Sequence, residues 1–131
     1  MSASARARNT ATDALRAAIT HVSVHTQVTN DAGSATEATG GSPAYARKAV
    51  TFNASGAVGP LGAGSQPAIV GLAWSDLMTF DLPAGAYLSW GTWDGLTAGN
   101  YYEGGNFDTP YAPGAQSTLA FAIAIRANVG G

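Results

Sequence analysis

The chain has 131 residues, with 6 Lys and Arg against 8 Asp and Glu, a net charge of −2. That length predicts one domain, large enough to bury a core without staples, and the lack of cysteine excludes disulfides and thiolate metal sites. Only 11% of residues are charged, against about 25% in ordinary soluble domains; a general nucleic-acid binder needs clustered cations and is disfavoured. The small, uncharged residues suit close protein contact, or reflect a genome that enriches Ala, Gly and Thr. No apolar run approaches the roughly 18–20 residues of a membrane span, and the first eight residues lack the apolar stretch of a secretory signal. No nucleic-acid or membrane partner is expected.

Residues 1–9 read as an N-terminal arm carrying Arg6 and Arg8, ahead of a single domain over 10–131. Thr10 and Asp13 have the spacing of a capping box. Ala11, Leu15, Ala18 and Ile19 then predict a short helix over 11–19, with Leu15 and Ile19 facing the core. From His21 the period becomes two. Val22, Val24, Thr26 and Val28 alternate with His21, Ser23, His25 and Gln27, which predicts a strand. Asn30, Asp31 and Gly33 break it. After the turn at Gly40-Gly41-Ser42-Pro43, Tyr45–Phe52 reads as a second strand. The Gly and Pro residues between 53 and 67 predict a long flexible loop.

Shorter strands follow. Ala68–Trp74, Leu77–Leu82 and Tyr87–Trp93 are separated by turn residues, and Asn100–Phe107 is less regular. Ser117–Arg126 is the clearest strand, with Leu119, Phe121, Ile123 and Ile125 facing in and Ala120, Ala122 and Ala124 facing out. About seven strands with Gly/Pro turns predict an all-β fold, an antiparallel β-sandwich of jelly-roll type with one short N-terminal helix. Val22, Val24, Val50, Phe52, Phe80, Leu119, Phe121 and Ile123 are the expected core.

Motifs of chemistry are sparse. On a strand, His21 and His25 stand about 13 Å apart, too far to share an ion. Asp76, Asp81, Asp94, Glu103 and Asp108 are the later carboxylates. They match no calcium loop, and Asp94-Gly95 and Asp108-Thr109-Pro110 suit turns. No Gly-x-Ser-x-Gly elbow and no phosphate loop occurs. The expectation is a protein without catalytic residues, metal or cofactor. Tyr87, Trp90, Trp93, Tyr101, Tyr102, Phe107 and Tyr111 crowd into one stretch and divide among core, protein interface and glycan contact.

Two stretches carry a family resemblance. The first is LRAAITHVSVHT within Ala14–Thr26, followed by TGGSPAYARKAVTF at Thr39–Phe52. The second is MTFDLPAG at Met78–Gly85, then YLSWGTW at Tyr87–Trp93, then a Gly/Tyr-rich stretch and a Phe-x-Ile-x-Ile terminal strand. Over about 10–126 the chain resembles small structural proteins of actinobacterial phages, described as tail fibre-like or minor tail proteins and related in type to capsid decoration proteins. The resemblance implies a non-enzymatic virion component, assembled in the host cytoplasm and bound to other capsid or tail proteins. A homo-oligomer is expected, a trimer in preference. Arg6, Arg8, Trp90, Trp93, Tyr101, Ala120, Ala122 and Ala124 are the candidate contact residues. The alternative is a glycan-binding module that recognises the host surface.

Overall fold

The computed structural model describes residues 3–127. In chain order the elements are α1 (Ala5–Ala18), β1 (His21–His25), β2 (Lys48–Ala49), β3 (Ala73–Trp74), β4 (Met78–Leu82), β5 (Tyr87–Trp93), β6 (Tyr101–Tyr111), β7 (Ser117–Phe121) and β8 (Ala124–Ile125). Every strand pairing is antiparallel, so the all-β expectation with one N-terminal helix holds. The chain divides into two compact units, each assembled from separated segments.

The first unit holds the chain up to Ile19, Val50–Leu77 and the chain from Ala122 onward. Helix α1 begins earlier than its apolar spacing suggests, because Ser4 caps it by accepting from the Ala7 N–H at 3.1 Å. Thr10 and Asp13 lie inside the helix, where Asp13 pairs with Arg16 at 2.7 Å. Residues 5–9 of the expected arm are therefore helical, and Arg6 and Arg8 are exposed helical residues. Residues 1 and 2 of that arm lie outside the described residues.

The helix's polar side chains hold the 53–72 loop. Asn9 Oδ1 accepts from Gly71 N–H at 2.8 Å and from Ser55 Oγ at 2.9 Å. Buried Thr12 donates to the Gly71 carbonyl at 2.7 Å. Gln66, also buried, donates to the Ser75 carbonyl at 2.7 Å and accepts from Leu61 N–H at 3.0 Å. The loop expected to be flexible is pinned by side chains that reach across it. Beneath it Ile19, Phe52, Leu72, Ala73, Ile123 and Ile125 form this unit's core, with β3 paired to β8.

The second unit holds Thr20–Ala49 and Met78–Phe121. Its main sheet has the order β2-β1-β5-β6, and β4 pairs with β7 in a second ladder. Phe80 of β4 stacks on Phe121 of β7 at 5.2 Å within the second ladder, and Phe107 of β6 joins the two layers by meeting Phe121 edge-on at 5.0 Å. Two layers packed through such rings make this unit sandwich-like. Val22, Val24, Met78, Phe80, Leu82 and Tyr87 are buried here.

Several strand expectations change. Only Lys48–Ala49 of the Tyr45–Phe52 segment is a strand, because Tyr45 and Arg47 turn to other partners. Strand β1 stops at His25, which leaves Val28 61% exposed. The continuous strand expected over 117–126 is two strands. At Ile123 the backbone N–H bonds to Ser75 Oγ at 2.8 Å and the carbonyl to Ser75 N–H at 2.9 Å. The chain thus leaves the β4 ladder and enters a different one, and the alanine stripe does not run along one strand. Val50, Leu119 and Phe121, expected in the core, are only half-buried.

Candidate functional site

Strand β5 alternates Tyr87, Ser89, Gly91 and Trp93 on one face with Leu88, Trp90 and Thr92 on the other. Its register with β1 sets Ser23 opposite Gly91 and His25 opposite Ser89. Both faces of β1 are covered, so its polar residues must be satisfied inside the protein. His25 Nδ1 lies 2.8 Å from the Ala35 carbonyl, which only accepts. Nδ1 therefore carries the proton, Nε2 accepts from Ser23 Oγ–H, and Ser23 Oγ accepts from Trp93 Nε1–H at 2.8 Å. Gly91 leaves the space: a Cβ there would meet Ser23 Oγ at 2.9 Å and His25 Nε2 at 3.1 Å. Burial holds the His25 pKa below its ordinary value.

Arg47 lies over the Trp93 ring, its guanidinium 3.9 Å from the ring centroid. It makes a two-pronged pair with Glu37, Nε to Oε2 and Nη2 to Oε1, both 3.0 Å. Its Nη1 donates to the carbonyls of Gly95 and Ala98 at 3.1 and 2.7 Å. Tyr45 donates to Glu37 Oε2 at 2.6 Å and accepts from Val24 N–H at 3.1 Å. Burial pushes the Glu37 carboxyl upward, but the bonds from Arg47 and Tyr45 outweigh it, and the net pKa is lowered. A cavity of about 330 Å³ opens above this cluster, bordered by Leu96, Thr97 and Ala98. The arginine there is already committed to four acceptors, so the cluster braces the sheet.

The more open feature lies at the start of β6. From Gly91↔Gly104 to Trp93↔Tyr101 the register slips, so Tyr102 and Glu103 together face Thr92. This is a β-bulge. The Thr92 hydroxyl sits in it, donating to the Glu103 carbonyl at 2.7 Å and accepting from Glu103 N–H at 3.0 Å. The bulge turns Tyr102 and Glu103 toward the loop after β1. That loop is fixed in turn. Thr29 N–H donates to Asn106 Oδ1 at 2.9 Å, and Thr29 Oγ1 lies 3.1 Å from the Tyr101 hydroxyl. Asn30 Oδ1 accepts from the N–H groups of Ala32 and Ser34 at 3.1 and 3.0 Å. Gly33, at φ +67°, lies so close to Tyr101 that a Cβ would fall 2.4 Å from its ring. Between loop and bulge is a cleft of about 370 Å³, lined by Thr29, Asn30, Asp31, Tyr101, Tyr102, Glu103 and Gly104.

The expected contact residues are dispersed. Trp93 is half-buried and engaged by Ser23, Arg47 and Tyr101, the last edge-on at 5.2 Å. Trp90 is half-buried across Gly105, whose Cβ would fall 2.7 Å from its ring. Tyr101 floors the cleft. Ala120 is exposed, while Ala122 and Ala124 are half-buried. His21 bonds Thr20 Oγ1 at 2.9 Å, whereas His25 is enclosed. Among the described residues no group of three or more His, Cys, Asp or Glu side chains could hold a metal ion. Of the cleft residues, Asn30 and Asp31 read in the sequence only as strand breakers, and Thr29 carries no signal there. Their role depends on a bulge that leaves no mark in a single sequence.

A charge-poor, all-β chain whose strands are short and whose polar residues brace one another is the build of a structural protein, and comparison with protein families places it among phage fibre proteins. The chain belongs to the family described as Podophage GP4 fiber I protein gp80, whose model matches residues 5–125. Its role is that of a virion structural protein of fibre type. No curated protein and no solved structure matches the chain.

Proposed function

We propose that the protein is a non-enzymatic accessory component at the surface of a tailed-phage particle, where it self-associates and binds other virion proteins. The family match over 5–125 carries this reading. The sparse charge supports it, since few ions need desolvating when surfaces meet. A trimer is the preferred assembly, because closed rings suit symmetric particle sites. Arg6, Arg8 and Ala120 are exposed and are its leading contact residues; Trp90, Ala122 and Ala124 contribute what surface they retain. A tail or fibre position is favoured over capsid decoration by the family's description. Mass spectrometry of purified particles, with labelled antibody in electron micrographs, tests the reading: the protein should co-purify with particles and label the tail region. Its absence from purified virions would refute it.

A second reading, recognition of a host glycan, is favoured by one feature, the acid-lined cleft walled by Tyr102.

A further inference from the structure

We propose that the cleft between the 29–31 loop and the β6 bulge binds a neutral, hydroxyl-rich sugar residue of a surface polysaccharide. The proposal rests on the glycan-recognition reading and gives it a site and a ligand class. Three observations carry it.

The first is shape. The cleft is about 370 Å³, at the lower end of the roughly 300–1,000 Å³ of small-molecule sites. Its walls are held before any ligand arrives, by the Thr92 hydroxyl inside the bulge, the Asn30 side chain inside its loop and the tight fit of Gly33 on Tyr101. A site already in place loses little entropy on binding.

The second is its aromatic wall. Tyr101 is covered by Gly33 and by Trp93, so it forms floor. Tyr102 is 36% exposed, and its hydroxyl is tethered to Asp94 Oδ2 at 3.3 Å, with Asp94 itself held by Asn100. One fixed, exposed ring suits stacking against one sugar face. A cage for a quaternary ammonium group needs several open faces around the cation, and this cleft offers one.

The third is polarity. Among the described residues the lining includes no Lys, Arg or His, and it carries the Asp31 carboxylate. Among the described residues the Asp31 side chain accepts no hydrogen bond from the protein. Carboxylates accept from paired sugar hydroxyls and repel uronates, sialic acids and phosphates. The cleft therefore selects for uncharged sugars.

Saturation-transfer NMR on the full chain tests this, with neutral malto-, cello- and galacto-oligosaccharides, a uronic-acid oligosaccharide and choline as probes. At least one neutral oligosaccharide should show transfer, and the uronate and choline should not. Tyr102→Ala should weaken that binding about tenfold or more. Asp31→Asn, an exposed change that leaves the bulge intact, should weaken it severalfold. Both variants should keep the wild-type circular dichroism. Binding unchanged in both variants, preference for choline or the uronate, or no transfer from any neutral sugar would overturn the proposal. Transfer from a neutral oligosaccharide that persists unchanged in both variants overturns this site and leaves the glycan-recognition reading standing, whereas no transfer from any probe counts against both.

Discussion

His25 is kept neutral inside the sheet by its burial and its hydrogen-bond partners. Its Nε2 must remain unprotonated to accept from Ser23, and its pKa is held below the usual 6.5 by burial. The unfolded chain therefore takes up the proton first as pH falls, so the contribution is complete above about pH 6.5 and is lost on acidification below it. Urea midpoints measured from about pH 8 to pH 5 should be level at first and then decline, and His25→Gln should flatten that decline. Glu37 adds a second loss at lower pH, below its ordinary 4.5, because its folded pKa is also depressed. Arg47→Ala strands the half-buried Glu37 and frees two backbone carbonyls, and should cost about 3 kcal/mol in chemical denaturation. These partnerships were scarcely legible in the sequence. The alternation of Val22 and Val24 with Ser23 and His25 resembles a sheet with one dry and one wet face. Here both faces are dry, and the polar one satisfies itself through Trp93, 70 residues away. Tyr45 and Arg47, within one of the stretches that carry the family resemblance, supply the brace.

Strands were more legible than their ends. The period-two stretches at β1, β4 and β5 fall where the alternation put them, since burial on at least one side enforces that period. What alternation cannot report is which ladder a strand joins. In sequence, residues 117–126 alternate without interruption across a break, because Ser75 captures Ile123 and redirects the backbone at a point that the order of apolar residues does not mark. The helix start was missed for a related reason: Ser4 caps a first turn of Ala and Arg that carries no apolar spacing. Ser4→Ala should cost about 1 kcal/mol, measurable as a lower thermal midpoint. Phe80, fully buried and stacked between Tyr45 and Phe121, should cost about 3–5 kcal/mol as Phe80→Ala. Phe121→Ala should cost less, because part of that ring already faces solvent.

For the molecule as a whole, the proposed self-association is open to a direct test. Ala120→Glu tests it more cleanly than a change at Ala122, since Ala120 is exposed, opposite exposed Thr79, whereas Ala122 is half-buried. Mass photometry should show a trimer for wild type and a shift toward monomer for this variant, with circular dichroism unchanged. A wild type that stays monomeric at micromolar concentration would set the self-association proposal aside. The path of the chain through its two units has a further consequence, for biosynthesis. Strands β3 and β4 wait for partners at β8 and β7, which are synthesised after β5 and β6. Neither ladder can close until residues 117–125 have been made, so the nascent protein holds unpaired strand edges up to that point, and a chain cut after residue 116 leaves both ladders open. Folding should therefore be dominated by contacts distant in sequence, the slow class among small domains, with those edges open to wrong pairing until β7 and β8 arrive.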